Sequence, residues 1–326
     1  MSRLEELLKG AKDIALGGHI RPDGDCVGSV MSVYQYIKKN MSEIEVKVFL
    51  ETPSSVFGCI DGIQDMDSHM DTLHEYDIFI ALDCTSDRLG DAEPIFNRAK
   101  KRINIDHHVS NSGCGDVNIL VPDASSTCEV VYELMDPEKI DVEIAKALYI
   151  GMIHDTGVFK YSNTSPKTLQ IAAKLIAYGF DFPKIIDETF YEKTYVQTQV
   201  MGRAVSESVR FMDGKCIFSV VDKEMMEFYD VGPKDLDGII NQLRIIKGIE
   251  CAIFMYQTGH MEYKVSLRSN GLVDVSRVAV FFGGGGHVRA AGCTMRGTVH
   301  DVINNLSTQI ALQICNYSEP SEFIKN

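Results

Sequence analysis

The strongest constraint on the fold is an alternation, from Asp13 to about Asp155, of short apolar runs with amphipathic stretches of helical length. Because parallel strands need long crossover connections, this alternation is typical of βαβ units around a mostly parallel sheet. It predicts strands at 14–19, 45–50, 78–83, 101–106 and 117–120, and helices at 26–40, 126–135, 142–154 and 166–178. We therefore expect an N-terminal α/β domain with helices on both faces of its sheet.

The pattern changes after residue 181. Residues 182–205 are polar and helical in periodicity, without strand signals, and further on predicted strands at 216–221, 251–257 and 262–268 are mixed with predicted helices at 236–247, 273–282 and 298–315. A chain of 326 residues has room for two domains of ordinary size. We expect a first domain at 1–180, a helical connector at 181–205 and a smaller α/β domain at 206–326, with a ligand-binding cleft between the two domains.

Composition limits the class of protein and its partners. The formal net charge is −14, and residues 1–205 carry −12 of it, which is unfavourable for broad binding to duplex nucleic acid. A short anionic substrate held by metal ions stays open. No apolar run approaches the roughly 20 residues of a membrane span, and the first residues lack a signal-peptide pattern, so we expect a cytoplasmic protein without a membrane partner. The nine cysteines are never spaced C-x-x-C, which argues against a disulfide framework and a structural zinc site.

Acidic residues and histidines recur where the predicted strands end. They are His19, Asp23 and Asp25 after the first strand, Asp83 after the third, Asp106, His107 and His108 after the fourth, and His154 and Asp155 at the end of an apolar helix. Ligands of an open parallel sheet bind outside the carboxyl ends of its strands, so these segments could converge. Carboxylates there are costly unless they are paired or bind a cation. Mixed imidazole and carboxylate groups suit Mn²⁺ or similar ions, and a bridging carboxylate can hold two ions about 3.5–4 Å apart.

Each of these segments also has a simpler explanation when it is taken alone. Asp25 and Asp83 could each cap a helix, and the pair at 154 and 155 could mark a helix end. The pair His107–His108 directly after a strand is harder to explain in this way. Four such coincidences at element ends together favour a metal site.

A glycine-rich segment in the second domain has the character of an anion site. Four consecutive glycines, 283–286, are followed by His287 and Arg289. Consecutive glycines allow close approach of a ligand, and successive backbone N–H groups bind anions. Arg268, at the end of another predicted strand, could add a bidentate fork. The alternative is a flexible loop with surface cations. The substrate-binding candidates are Arg268, Gly284, Gly285, Gly286, His287 and Arg289.

Together these motifs resemble the DHH phosphoesterase family, which is named for the triplet that stands here at 106–108. The His-x-x-x-Asp-Gly-Asp run, the strand-terminal Asp83 and Asp155-Thr-Gly match its other motifs in order, and Gly-Gly-Gly-His followed by Ala-Ala-Gly resembles the accessory DHHA1 domain. The resemblance covers residues 10 to 315. It is strongest to the two-domain branch of oligoribonucleases, called nanoRNases, that also act as phosphatases of 3′-phosphoadenosine 5′-phosphate (pAp).

The resemblance implies a role for each residue of the metal site. One metal ion would be held by His19, Asp23 and Asp83, and the other by Asp25, Asp83, His107 and Asp155, so that Asp83 bridges them. Asp106 would orient a neighbouring histidine, and His108 would stand near the phosphate and protonate the leaving oxygen. His154 lies outside this set and is interpreted as structural.

The resemblance also implies an activity. We expect a two-metal phosphoesterase, with Mn²⁺ as the favoured ion, that hydrolyses short single-stranded RNA to 5′-mononucleotides and removes the 3′-phosphate of pAp. Two alternatives stay open: a phosphodiesterase of cyclic or linear dinucleotides, and a nucleotide sensor without turnover. Family analogy further suggests a homodimer.

Overall fold

The computed structural model describes residues 1–66 and 73–317. The chain divides into two compact units, Met1–Glu192 and Lys193–Asn326. The segment 181–205, which the sequence predicts to be a helical connector, contains this division.

The first unit is built on a five-stranded sheet. Its strands are β1 (Asp13–Gly17), β2 (Glu45–Phe49), β3 (Ile78–Leu82), β4 (Lys101–Asp106) and β5 (Val117–Leu120). Their order in the sheet is β2-β1-β3-β4-β5, and every neighbouring pair is parallel. The predicted parallel α/β architecture is confirmed. Strand β1 ends two residues before His19, which therefore lies in the loop that follows.

Both faces of the central strand β3 are buried, which explains why this strand is apolar throughout, whereas the edge strand β2 alternates exposed and buried residues. Ile14, Leu16 and Ile80 pack into one core, and Phe79 and Ala81 into a second core on the opposite face. The helices of this unit are α1 (Arg3–Leu8), α2 (Gly24–Asn40), α3 (Glu93–Arg98), α4 (Thr127–Leu134), α5 (Val142–Asp155), α6 (Pro166–Ile176) and α7 (Phe182–Ile186). Residues of α2, α4 and α5 belong to the first core and residues of α3 to the second, so helices cover both faces.

Side-chain caps fix where the helices beside the strand ends begin. The Asp23 carboxylate accepts hydrogen bonds from the backbone N–H groups of Asp25 and Cys26 and thereby caps α2. Ser126 caps α4 through the N–H of Glu129. The alternative in which Asp25 caps the helix after β1 is therefore wrong, because Asp23 is the cap and Asp25 lies in the first turn.

The second unit is built on a six-stranded mixed sheet. Its strands are β6 (Val209–Phe211), β7 (Cys216–Val221), β8 (Cys251–Gly259), β9 (Glu262–Ser269), β10 (Gly285–His287) and β11 (Ala290–Arg296), in the order β10-β11-β9-β8-β7-β6. Only β7 and β8 run parallel within it. Its helices are α8 (Tyr195–Ser206), α9 (Lys223–Tyr229), α10 (Ile239–Arg244), α11 (Val275–Phe281) and α12 (Val299–Tyr317). The second unit therefore mixes strands and helices, as predicted for the second domain.

Two apolar cores lie on opposite faces of the second sheet. Helices α11 and α12 contribute to the core around Ile253 and Val265, and α8 and α10 to the core around Phe254 and Ile217. Among residues 1–66 and 73–317, no helix has the length and apolar character needed to cross a membrane.

Candidate metal centre

The turn that carries His19, Asp23 and Asp25 is shaped by the glycine between the two aspartates. A Cβ at Gly24 would lie 2.2 Å from the ring of His154, so only glycine lets the start of α2 pack this closely on α5. The ring of His154 in turn lies edge-on against Phe57 and Phe190, and its Nε2 is 3.2 Å from the Thr189 hydroxyl. Burial lowers the pKa of His154 to about 4. These contacts support the structural role predicted for His154.

His19 presents one defined nitrogen to the carboxylates. Its Nδ1 is 2.9 Å from the carbonyl oxygen of Ile20, which suits an N–H donor there, so Nε2 is the nitrogen that faces the carboxylates. Nε2 lies 3.5 Å from an oxygen of Asp83 and 3.7 Å from one of Asp23. Burial opposes a charge on this ring, but these two carboxylates outweigh it and raise the pKa of His19 well above its usual range.

Asp83 lies at the middle of the cluster in a strained conformation. It follows β3 with φ of 61°, in the left-handed region that non-glycine residues rarely adopt. Its carboxylate is 2% exposed; one oxygen faces His19, and the other accepts a hydrogen bond of 2.9 Å from the Thr127 hydroxyl and lies 3.8 Å from Nε2 of His107. Asp83 thus stands between His19 and His107.

Asp25 is held by the first turn of α4. Its two oxygens accept hydrogen bonds from the backbone N–H groups of Thr127 and Cys128, at 2.6 and 2.9 Å. Burial raises the pKa of Asp25 well above its usual range, and repulsion from Asp83 and Asp155 adds to this. Thr127 was not identified as a site residue from the sequence. The Ser-Ser-Thr run at 125–127, a typical helix start, was the available signal.

His107 points into the same cluster from the end of β4. Its Nδ1 is 3.2 Å from the carbonyl oxygen of Ala124, and its Nε2 lies 3.1 Å from Asp155 and 3.9 Å from Asp25. Burial opposes a charge on His107, but the carboxylates of Asp155, Asp25 and Asp83 outweigh it and raise the pKa to about 10. Asp155 is the last residue of α5, one residue beyond the predicted end of that helix at 154.

Asp106 is occupied by protein donors. Its Oδ1 accepts hydrogen bonds from the backbone N–H groups of His107 and His108 and lies 2.8 Å from Nδ1 of His108, while its Oδ2 accepts one from the Asn111 amide. Such a carboxylate orients His108 and has little capacity left for a metal. Asn111, three residues after the triplet, was not identified from the sequence.

The cluster as a whole fits divalent cations. Asp25, His107 and Asp155 each offer one ligand atom within 4.8 Å of the others, and His19 and Asp83 belong to a second such group. Buried carboxylates that repel one another need positive charge, and both histidines keep Nε2 free of backbone partners. The structure thus brings all six predicted metal-binding residues to one edge of the sheet.

The predicted substrate-binding residues lie together in the second unit. The cross-strand register places Ala290 of β11 between Arg268 of β9 and His287 of β10, so these two residues lie in one row across the sheet, on either side of β11. Arg289 lies in the turn between β10 and β11, and both it and His287 are exposed. The glycine-rich segment, for which a flexible loop was the alternative interpretation, is therefore partly a strand.

Two glycines of this segment have a packing role of their own. A Cβ at Gly284 would lie 2.2 Å from the carbonyl oxygen of Gly292, and a Cβ at Gly286, whose φ is 141°, would lie 2.5 Å from that of Ala290. The close approach of β10 to β11 explains these glycines without a ligand. A Cβ at Gly285 would meet nothing within 4 Å.

Each of the two units matches the model of a known protein family. The model of the DHH family, N-terminal domain, matches residues 13–152, and the model of the DHHA1 domain matches residues 213–313. The chain is similar to a bifunctional oligoribonuclease and PAP phosphatase of Thermus thermophilus, with 29% identity over 302 residues that make up 91% of this chain and 89% of that protein.

Solved structures share the fold. The crystal structure of an exopolyphosphatase-related protein from Bacteroides fragilis has a TM-score of 0.88 and 25% identity, covering 97% of this chain and 96% of its own. RecJ of Thermus thermophilus in complex with Mn²⁺ has a TM-score of 0.56 and 12% identity, covering 97% of this chain and 54% of its own.

Proposed function

Because the chain belongs to the DHH family of metal-dependent phosphoesterases and carries a DHHA1 domain, we propose that it is a hydrolase of short RNA and of pAp. It would cleave short RNA to 5′-mononucleotides and remove the 3′-phosphate of pAp. The observation that carries the proposal is the cluster of His19, Asp25, Asp83, His107 and Asp155 at the carboxyl ends of the strands, in which the first three residues are buried. The Thermus relative, which matches over nine-tenths of the chain, bears both activities in its name.

Two Mn²⁺ ions are the cofactors that the proposal requires. His19, Asp23 and Asp83 would hold one ion, and Asp25, Asp83, His107 and Asp155 the other. When bound, the ions supply Lewis acidity and neutralise the negative charge of the phosphate. The RecJ structure that shares this fold contains Mn²⁺, which supports the choice of ion.

His108 is the residue that handles a proton in this proposal. Its Nδ1–H donates to Asp106 at 2.8 Å, so Nε2 is the nitrogen left to serve the leaving oxygen. The hydrogen bond to Asp106 raises the pKa of His108, although burial opposes this. A protonated ring at this place can give its proton to the oxygen that departs from phosphorus.

The second unit would bind another phosphate of the substrate. Arg268, His287 and Arg289 supply cationic or hydrogen-bonding groups, and Gly285 leaves the backbone of β10 open to a ligand. An arginine fork pairs well with two phosphate oxygens. Substitution of Arg268 or Arg289 should then raise KM more than it lowers kcat.

The test is a product analysis with Mn²⁺ and a chelated control. The purified protein is offered dinucleotide to pentanucleotide RNAs, a long RNA, pAp, cyclic di-AMP and pyrophosphate. Mononucleotides from the short RNAs and phosphate from pAp are the expected products. Cleavage of the cyclic dinucleotide alone would replace this substrate assignment, and metal binding without any turnover would favour a nucleotide sensor.

The Asp83→Ala variant tests the bridging role of this carboxylate. We expect its kcat/KM to fall at least about 100-fold, because roughly 3 kcal/mol of transition-state stabilisation depends on correctly held metal ions. Asp91→Ala, which removes an exposed carboxylate outside the cluster, is the matched control and should keep full activity. Equal rates for the two variants would contradict the two-metal assignment.

A further inference from the structure

A cysteine thiol lies inside the candidate metal centre. Cys26, the third residue of α2, is fully buried, and its sulfur forms a group with ligand atoms of His19 and Asp83 in which all three lie within 4.8 Å of one another. His19 and Asp83 are themselves only 4% and 2% exposed. Among the described cysteines, Cys26 alone belongs to such a group.

The surrounding backbone holds the thiol in this place. A Cβ at Gly18 would lie 2.3 Å from the sulfur of Cys26, so the sulfur occupies the space that the missing side chain leaves beside His19. The backbone N–H of Cys26 donates to Asp23, another candidate ligand, at 3.1 Å. The position of the sulfur is therefore set by the same turn that positions the carboxylates.

We infer that Cys26 is a sulfur ligand that gives the His19 side of the centre a site for soft divalent cations, Zn²⁺ and Cd²⁺. Thiolate prefers soft or borderline ions, whereas carboxylate suits Mn²⁺. The thiol proton passes to solvent when the metal–sulfur bond forms. The inference rests on the metal centre of the proposed function but not on its substrate.

The arrangement has a consequence for metal competition. With Mn²⁺ the ion relies on His19, Asp23 and Asp83, while Zn²⁺ or Cd²⁺ gains the sulfur as a further ligand. Soft ions therefore displace Mn²⁺ from the His19 side. The Cd²⁺ concentration that halves the Mn²⁺-dependent rate should be higher for Cys26→Ala than for wild type, each compared with its own rate without Cd²⁺.

The experiment is a Cd²⁺ titration of the metal-free full chain, followed by the ultraviolet charge-transfer band of cadmium–sulfur bonds. We expect wild type to develop a band at one equivalent that both Cys26→Ser and Cys26→Ala lack. Cys84→Ala, which removes another buried thiol, is the control and should keep the band. A band of the same strength in Cys26→Ala would overturn the inference.

X-ray absorption of wild type loaded with one equivalent of Zn²⁺ gives an answer even if the variants do not fold. A sulfur neighbour at about 2.3 Å is expected beside nitrogen and oxygen at about 2.0–2.1 Å. A first shell of nitrogen and oxygen alone would exclude Cys26 as a ligand. Failure of the proposed function shows itself separately, as absence of Mn²⁺-dependent hydrolysis in a protein that still forms the cadmium–sulfur band.

Discussion

Removal of the Thr127 hydroxyl tests how the candidate centre is organised. In Thr127→Val the shape of the side chain is kept, and the backbone N–H that donates to Asp25 is unchanged. The variant loses the 2.9 Å hydrogen bond to Asp83, whose carboxylate is 2% exposed beside a fully buried threonine. A hydrogen bond to a charged group contributes about 1.5–3 kcal/mol, and the buried acceptor left behind has no access to water.

We therefore expect the free energy of unfolding to fall by about 2 kcal/mol, which is roughly a 30-fold change in the folding equilibrium. Affinity for Mn²⁺ should fall by roughly 10- to 100-fold, because the hydroxyl orients a metal ligand. Chemical denaturation measures the first quantity and isothermal titration calorimetry the second. Thr127→Ser keeps the donor and is the control. If the valine and serine variants bind Mn²⁺ equally well, Thr127 does not orient Asp83.

Three further changes test other parts of the structure. Gly24→Ala should lower the melting temperature and weaken Mn²⁺ binding, since its Cβ would lie 2.2 Å from the His154 ring; Gly58→Ala, with nothing within 4 Å, is the calorimetric control and should change neither. Gly202→Ala, exposed in α8 with open space around it, should raise the free energy of unfolding by about 0.5–1 kcal/mol in urea denaturation. Burial opposes the charge of Asp106, but hydrogen bonds from His108 and Asn111 lower its pKa to about 2. The ionised Asp106 thus stabilises the fold above the ordinary pKa of 3.8, and this stabilisation is lost as pH falls towards 2. In acid denaturation, the free energy of unfolding of wild type should therefore fall over this pH range, and this part of the fall should be absent in Asp106→Asn.

The parallel sheet and the position of the site could be predicted from the sequence, because both depend on the local pattern of apolar and polar residues. Continuous apolar strands separated by helix-length stretches leave few topologies, and side chains after parallel strands meet at one edge. Hence residues as distant in sequence as His19 and Asp155 could be assigned to one cluster. Short elements such as α1, α3 and β6 were not found, since a few residues give no clear period.

The parts of the site that the sequence did not yield depend on contacts between distant segments. The Thr127 hydroxyl and the Cys26 thiol reach Asp83 only once α4 and α2 are packed, and neither residue type indicates a metal site by itself. Gly284 and Gly286 looked like ligand-binding glycines, whereas the structure accounts for them by the approach of β10 to β11. Residue type predicts chemistry well where the side chain ends a strand, and poorly where tertiary packing decides its neighbours.

The buried carboxylates show why the protein's own groups leave room for cations. Asp25 receives two backbone N–H groups from the start of α4, where the helix dipole also favours negative charge, and Asp83 receives one hydroxyl. These donors all come from α4. Away from α4, Asp83 faces Nε2 of His19 and Asp25 faces Nε2 of His107. Without a metal ion these carboxylates raise the pKa of both histidines, so that protonated rings pair with them. A divalent ion between imidazole nitrogen and carboxylate oxygen would take the place of the Nε2 proton and satisfy both groups, so metal binding competes with the ion pairs between histidine and carboxylate.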